Sequence, residues 1–257
     1  MSNGESSAVI GTPAWVRERA MFRFDSVDPR RTALLVIDLQ KGFIDPKTAA
    51  ENGRAVADAT AIIPAVNRLA SQLRSSGGMV IFIRHTGSDE PARSVAQWQK
   101  EIGPLQRLDA TFRVGREAHA LDPRLDVGSN DLLVDKYRYS AFIAGSSDLE
   151  ERLGELGIDT IIVTGAFSNY CCESTARDGM MLGFRVFFAA DANVAHTPEE
   201  HQMAIAALQL AFADIRTTDE IITMIRDGKT SSDRPEAHRR PSVDGGTVGD
   251  PPQASSK

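Results

Sequence analysis

Six short apolar runs, separated by segments long enough for amphipathic helices, limit how this chain can fold. "ALLVID" (Ala33 to Asp38), "MVIFIR" (Met79 to Arg84), "DLLVDK" (Asp131 to Lys136), "TIIVTG" (Thr160 to Gly165) and "RVFFAAD" (Arg185 to Asp191) read as strands buried on both faces, and a short sixth lies near Asp214 to Arg216. Helices are expected over Ala55 to Leu73, stopping before Gly77-Gly78, and over Asp148 to Leu156, where Ser147 and Glu150 have the spacing of a capping box. Strands alternating with helices imply βαβ units. The expected fold is a three-layer α/β/α domain around a mostly parallel sheet of about six strands.

At 257 residues, 42% of them hydrophobic, the chain can bury one substantial core. Residues 1–30 read as an N-terminal arm packing on a neighbour or on the domain surface, and 31–227 as the domain. The stretch 228–257 holds four of the twelve prolines and no aromatic residue, so it reads as a disordered tail. A net charge of -6 offers no footprint for nucleic acid. No run of about 18 apolar residues exists for a membrane span, and Met1 to Thr12 lacks the basic and apolar regions of a signal peptide, so a cytoplasmic location is expected. Cys171 and Cys172 are the only cysteines, and a bridge between neighbours would close no useful loop. The five histidines (His85, His119, His196, His201, His238) lack zinc-site spacing, so no metal and no cofactor is expected. One connection, His85 to Asn130, is too long for an ordinary loop and reads as a lid or binding loop, or equally as a subunit-contact excursion with a helix of its own.

In an open parallel sheet the carboxyl ends of the strands share one edge, and sites form in the crevice there. Asp38 follows the first run, Lys136 ends the third, and Cys171 lies just past the fourth where a helix begins. A carboxylate, an ammonium and a thiol on one edge suit nucleophilic attack on a carbonyl. Each also has a plainer reading: a turn-capping Asp, a rim Lys paired with Asp135 or Asp45, a cysteine acting as a small buried hydrophobe. Consecutive helical residues point about 100° apart, so only one of the two cysteines can face the crevice. The first turn of a helix would lower that thiol's pKa.

"VTGAFSNYCCESTARDG" closely resembles the isochorismatase-like cysteine hydrolase family, whose pattern is a strand followed by Gly-x-x-Thr-Asn-x-Cys-x-x-x-Thr-Ala. "LLVIDLQKGFIDP" resembles its first strand with Asp and Gln, and "VDKYRYSAF" the segment carrying its Lys. The resemblance runs over roughly residues 30 to 226. It implies a triad of Asp38, Lys136 and Cys171, leaves Cys172 as packing, and implies a cis peptide bond at Ala166-Phe167. Ser168 stands where Thr is commoner, and Phe167 where a small residue is usual.

The implied chemistry is thioester formation: Asp38 accepts the thiol proton, Lys136 favours the thiolate, and the backbone N–H groups of Phe167 and Cys171 form an oxyanion hole. Gln40 and Asn169 are candidates for amide hydrogen bonds to a small-molecule substrate, and Tyr139, Phe142, Phe167, Tyr170 and Trp98 for the pocket wall. "RHTGSDEPARS" lacks the Asp-x-His metal motif of the family's nicotinamidases, and an intact Cys171 argues for amide, ureido or carbamoyl bonds rather than a vinyl ether. "KYRYSAF" and "CCESTARDG" look most like the ureidoacrylate and biuret amidohydrolase branch. Alternatives are a streptothricin-type lactam hydrolase, an isochorismatase-type vinyl ether hydrolase, a non-catalytic binding homologue and a thiol redox sensor. The resemblance also implies a homo-oligomer, dimer or tetramer.

Overall fold

The computed structural model describes residues 20, 22–51, 59–91, 93, 97–102 and 107–228. The proposed tail, except Gly228, and most of the proposed arm lie outside them. Six strands form one sheet: β1 (Thr32–Ile37), β2 (Met79–His85), β3 (Leu132–Lys136), β4 (Thr160–Ala166), β5 (Arg185–Val194) and β6 (Asp214–Arg216). The order is β3-β2-β1-β4-β5-β6 and every pairing is parallel. The chain reverses its winding direction at β1 and β4, so a crevice opens at the carboxyl ends of these two neighbours.

The apolar runs build this sheet because its inner strands are sealed on both faces; at the edge strand β3 the cover is partial, and Leu133 is 48% exposed. Leu34, Val36, Val80, Phe82, Ile162 and Phe187 point to one side, where they meet Ile63, Val66 and Leu69 of α1 (Ile63–Ser75) and Ile221 and Ile225 of a later helix, Thr218–Arg226. The alternate residues Leu35, Ile37, Ile81, Ile83, Val163 and Phe188 point to the other. There they meet Leu149 and Leu153 of α2 (Leu149–Glu155), Ala176 of α3 (Glu173–Met181), and Ile205 and Leu208 of α4 (Pro198–Ala211). The last helix, Thr218–Arg226, is α5. Each buried Leu, Ile, Val or Phe stabilises by roughly 1.5–3 kcal/mol, so a one-residue slip of register, which would exchange the faces, is strongly disfavoured.

Helix starts were less legible. The expected capping box at Ser147 and Glu150 does not form as read: Asp148 is the N-cap, and Ser147 Oγ instead donates to Ala141 O at 2.7 Å while accepting from Leu149 N at 3.2 Å. Full capping boxes occur at Thr197 with Glu200 and at Thr217 with Glu220, opening α4 and α5. The expected helix over 55–73 is a 3-10 turn, Ala59–Ile62, running into α1, with residues 52–58 outside the described residues. Within the long connection, Gln97–Glu101, Leu108–Thr111 and Glu117–His119 form short helical turns, and Phe112, fully buried, stacks on Phe43 with ring centroids 4.0 Å apart. No described helix is long and apolar enough to cross a membrane.

Strands β1 and β4 approach closely at Gly165. Its φ of +126° lies in the region that favours glycine, and a Cβ there would collide with the backbone carbonyl of Ile37. Gly183 also has positive φ, +87°, but a Cβ would meet nothing within 4 Å. Gly165→Ala is therefore expected to cost about 3 kcal/mol and Gly183→Ala about 1 kcal/mol in urea unfolding. Equal losses in the two variants would show that backbone conformation alone, and not the β1–β4 approach, governs position 165.

Candidate active site

The parallel sheet delivers Asp38 and Lys136 to one edge from different strands. Asp38 follows β1 with φ of +54°, a conformation Asp tolerates better than most residues, and donates its backbone N–H to Ile83 O at 2.8 Å. Lys136 ends β3, two strands away across β2, where His85 is its register partner. Adjacent strands lie about 4.8 Å apart, so only a long side chain at β3 can reach the end of β1. Lys136 does so: Nζ lies 2.8 Å from Asp38 Oδ2, with the side chains 0% and 1% exposed. Nζ also donates to Arg138 O at 3.0 Å and to Cys171 Sγ at 3.3 Å.

Cys171 reaches this pair from a π-helical turn, Ser168–Cys172, between β4 and α3. The wider turn is closed by Cys172 N donating to Phe167 O at 3.2 Å. It places Cys171 toward the ion pair, while Cys172 is fully buried in the apolar cluster on that face of the sheet. Both are free thiols. The turn is preceded by the cis peptide bond Ala166-Phe167.

Burial raises the Asp38 carboxyl above its ordinary 3.8, opposed without being cancelled by the Lys136 ammonium and by hydrogen bonds from the Cys171 thiol and the His85 backbone. At Lys136 burial works against the charge, but Asp38 and then Cys171 outweigh it and hold the ammonium above its ordinary range. The thiol departs from the sequence expectation. Burial, and next the negative charge of Asp38, push Cys171 well up, with Lys136 only partly opposing them. A helix start could have lowered it, but burial and the sealed carboxylate dominate. The resting thiol is protonated and sits beside an unusually basic carboxylate.

The other candidates separate. Tyr139 lines a cavity of about 420 Å3, accepts from Gln99 Nε2 at 3.3 Å, and lies 5.8 Å from the Tyr170 ring. Asn169 Oδ1 is buried with no hydrogen-bond partner among the described residues. Gln40 is not available as a substrate-binding amide: its Nε2 donates to both His85 O (3.0 Å) and His119 O (2.8 Å), and its Oε1 accepts from His85 N (2.8 Å). It ties the start of the long connection to that connection's third helical turn. Phe142 is a core residue, stacked on Phe184 at 5.4 Å. Phe167 is likewise turned into the core, stacked on His196 at 4.0 Å and edge-on to Phe43 at 6.1 Å. Trp98 is 63% exposed and does not line the cavity, although its neighbour Gln99 does.

The cavity adjoins the ion pair without including it. His85, Arg138 and Ser140 line it, as do Ser174, Arg177, Asp178 and Met181 of α3. The last four were not singled out in the sequence, yet their spacing of i, i+3, i+4 and i+7 counted from Ser174 marks one helix face. Gln99 carried no comparable signal. No group of three or more potential metal ligands occurs among the described residues.

An isochorismatase domain profile matches residues 32–220. The protein YecD of Escherichia coli O157:H7, described as an isochorismatase family protein, is 30% identical over 77% of this chain and 98% of its own length. Nicotinamidase 3 of Arabidopsis thaliana is 38% identical over 91 residues, 35% of this chain and 45% of that protein. A crystal structure of a cysteine hydrolase from Pseudomonas syringae pv. phaseolicola 1448A superposes with a TM-score of 0.71 at 28% identity, covering 80% of this chain and 96% of that one. With the domain match spanning most of the chain, and with the fold in agreement, the protein belongs to the isochorismatase family of hydrolases.

Proposed function

We propose that this protein is a cysteine-dependent amidohydrolase that cleaves a C–N bond of a small amide, ureido or carbamoyl substrate. The observation that carries the reading is the Lys136 ammonium within 2.8 Å of Asp38 Oδ2 and 3.3 Å of Cys171 Sγ. A packing cysteine has no need of a sealed ion pair beside it, and a sealed ion pair alone is a poor source of stability. A substrate carbonyl approaches Sγ as Asp38 takes the thiol proton, so the thiolate forms only as it attacks. The backbone N–H groups of Phe167 and Cys171 receive the developing oxyanion, each worth about 3 kcal/mol in comparable sites. The proton on Asp38 passes to the leaving nitrogen, and the amine departs to leave a thioester. Water, deprotonated by Asp38, then releases the acid and restores the thiol.

Lys136 keeps Asp38 ionised at rest and remains charged throughout. The unpartnered Asn169 Oδ1 suits a substrate N–H, and the cavity beneath Tyr139 has room for a body larger than urea. Within this class we favour ureido acids, as in the ureidoacrylate and biuret branch, on the motifs around Lys136 and Cys171. The relative named a cysteine hydrolase supports a cysteine-dependent hydrolysis, and the one named a nicotinamidase supports an amide substrate.

Ammonia release across a panel of ureido acids, biuret, N-carbamoyl amino acids, lactams and simple amides is expected to fall at least about 10^3-fold in Cys171→Ala and only a few-fold in Cys172→Ala. Retained turnover in Cys171→Ala would falsify the thioester route. Activity requires ionised Asp38, whose pKa is raised, so kcat/KM is expected to fall with decreasing pH at a point above the ordinary carboxyl value of 3.8. Removing the ammonium withdraws the one interaction that holds that pKa down electrostatically. In Lys136→Met the acid limb should therefore move further up, by about one to three pH units, along with a loss of kcat. A limb that stays in place would remove Lys136 from this role.

A further inference from the structure

The histidine on the first turn of α4 is absent from the chemistry above, yet it is bonded to the loop that presents the oxyanion donors. Ser168, the residue after Phe167, is fully buried, and its Oγ lies 2.7 Å from His201 Nδ1. The His201 ring also hydrogen-bonds the backbone of Ala190 in β5. Burial lowers the His201 pKa, with the Ala190 bond opposing it, so the imidazole is neutral at neutral pH and carries one N–H. Donating that N–H to the Ala190 carbonyl leaves Nδ1 as the acceptor, and the Ser168 hydroxyl becomes the donor. The loop is thereby tied at one point to both α4 and the sheet. A second hold lies next to it, in the His196 ring stacked on Phe167 at 4.0 Å. Backbone donors only stabilise an oxyanion efficiently if they are held in place before the charge forms.

We infer that His201 is a positioning residue: through Ser168 it fixes the 166–171 loop so that the Phe167 and Cys171 N–H groups converge on the oxyanion, and it touches neither thiol nor substrate. The inference rests on the hydrolase reading above. It separates two properties of Cys171. The reactivity of the thiol belongs to Asp38 and Lys136, whereas stabilisation of a tetrahedral oxygen belongs to the loop.

Two probes report these properties independently. Iodoacetamide alkylates sulfur by displacing iodide and creates no oxyanion. A small aldehyde adds the S–H across its C=O, forming an S–C bond and placing the proton on oxygen, and this adduct uses the same donors as the substrate. Both are measured in a Cys172→Ala background, by mass spectrometry for alkylation and by titration for aldehyde affinity, with circular dichroism to establish folding. His201→Ala and Ser168→Ala are each expected to weaken aldehyde binding about tenfold and to leave the alkylation rate within twofold. The double variant should be no worse than either single one, because both remove the same contact. Ser168→Thr, which keeps the hydroxyl, should retain wild-type affinity.

Folded Ser168→Ala protein with unchanged aldehyde affinity would overturn the inference. So would alkylation that slows in parallel with aldehyde binding, since the defect would then lie in the thiol. Absence of an aldehyde adduct in the Cys172→Ala parent, with His201 and Ser168 intact, would overturn the hydrolase reading and this inference with it, and it is recognised because it precedes any loop substitution.

Discussion

Asp38 and Lys136 form an ion pair closed to water, and the rest of the site takes its properties from that enclosure. Two charges removed from solvent cost several kcal/mol each; at Asp38 the attraction only partly offsets this, whereas at Lys136 it prevails. Burial leaves the carboxylate more basic than usual, and the ammonium keeps it charged all the same. A thiol set against this pair is held protonated beside a carboxylate more basic than usual. The arrangement favours proton transfer at the moment of attack over storage of a free thiolate.

The pair exists because of sheet order. Asp38 and Lys136 come from strands separated by β2, and both project from the same edge only because every strand is parallel. Gln40 then stabilises the edge itself, spending its amide on the backbones of His85 and His119. A glutamine two residues after Asp38 invites a substrate-binding role, but its three backbone bonds make it a brace between the β2 end and the long connection. On the other side, Gly165 lets β4 approach β1 closely enough for the following turn to bring Cys171 against Lys136. The site is a meeting of three chain segments, each aimed by backbone geometry.

Much of this was legible in the chain. The inner strands are apolar runs because both faces of the sheet are covered there, and all six appeared within three residues of their expected bounds. Asp38 and Lys136 stand out as charges ending such runs. The α3 face that lines the cavity was present as a periodic pattern at Ser174, Arg177, Asp178 and Met181, although polar residues on a helix ordinarily signal solvent. Gln99, the Ser168–His201 bond and the fate of Phe142 and Phe167 had no local signature. They depend on contacts between segments 29 or more residues apart, or on which way a ring turns as the core closes.

By itself the sequence determined the α/β alternation, the parallel sheet and the strand ends from which chemistry could project, because hydrophobic periodicity and the length of each run are local properties. It could not determine the protonation of the thiol or which of two adjacent cysteines faces the ion pair. A π turn placed Cys171 beside Lys136 and sank Cys172 in the core, and burial together with Asp38 raised a thiol that a helix start would have lowered. Desolvation and charge proximity are properties of the closed interior, and they come into being only when the distant segments have packed.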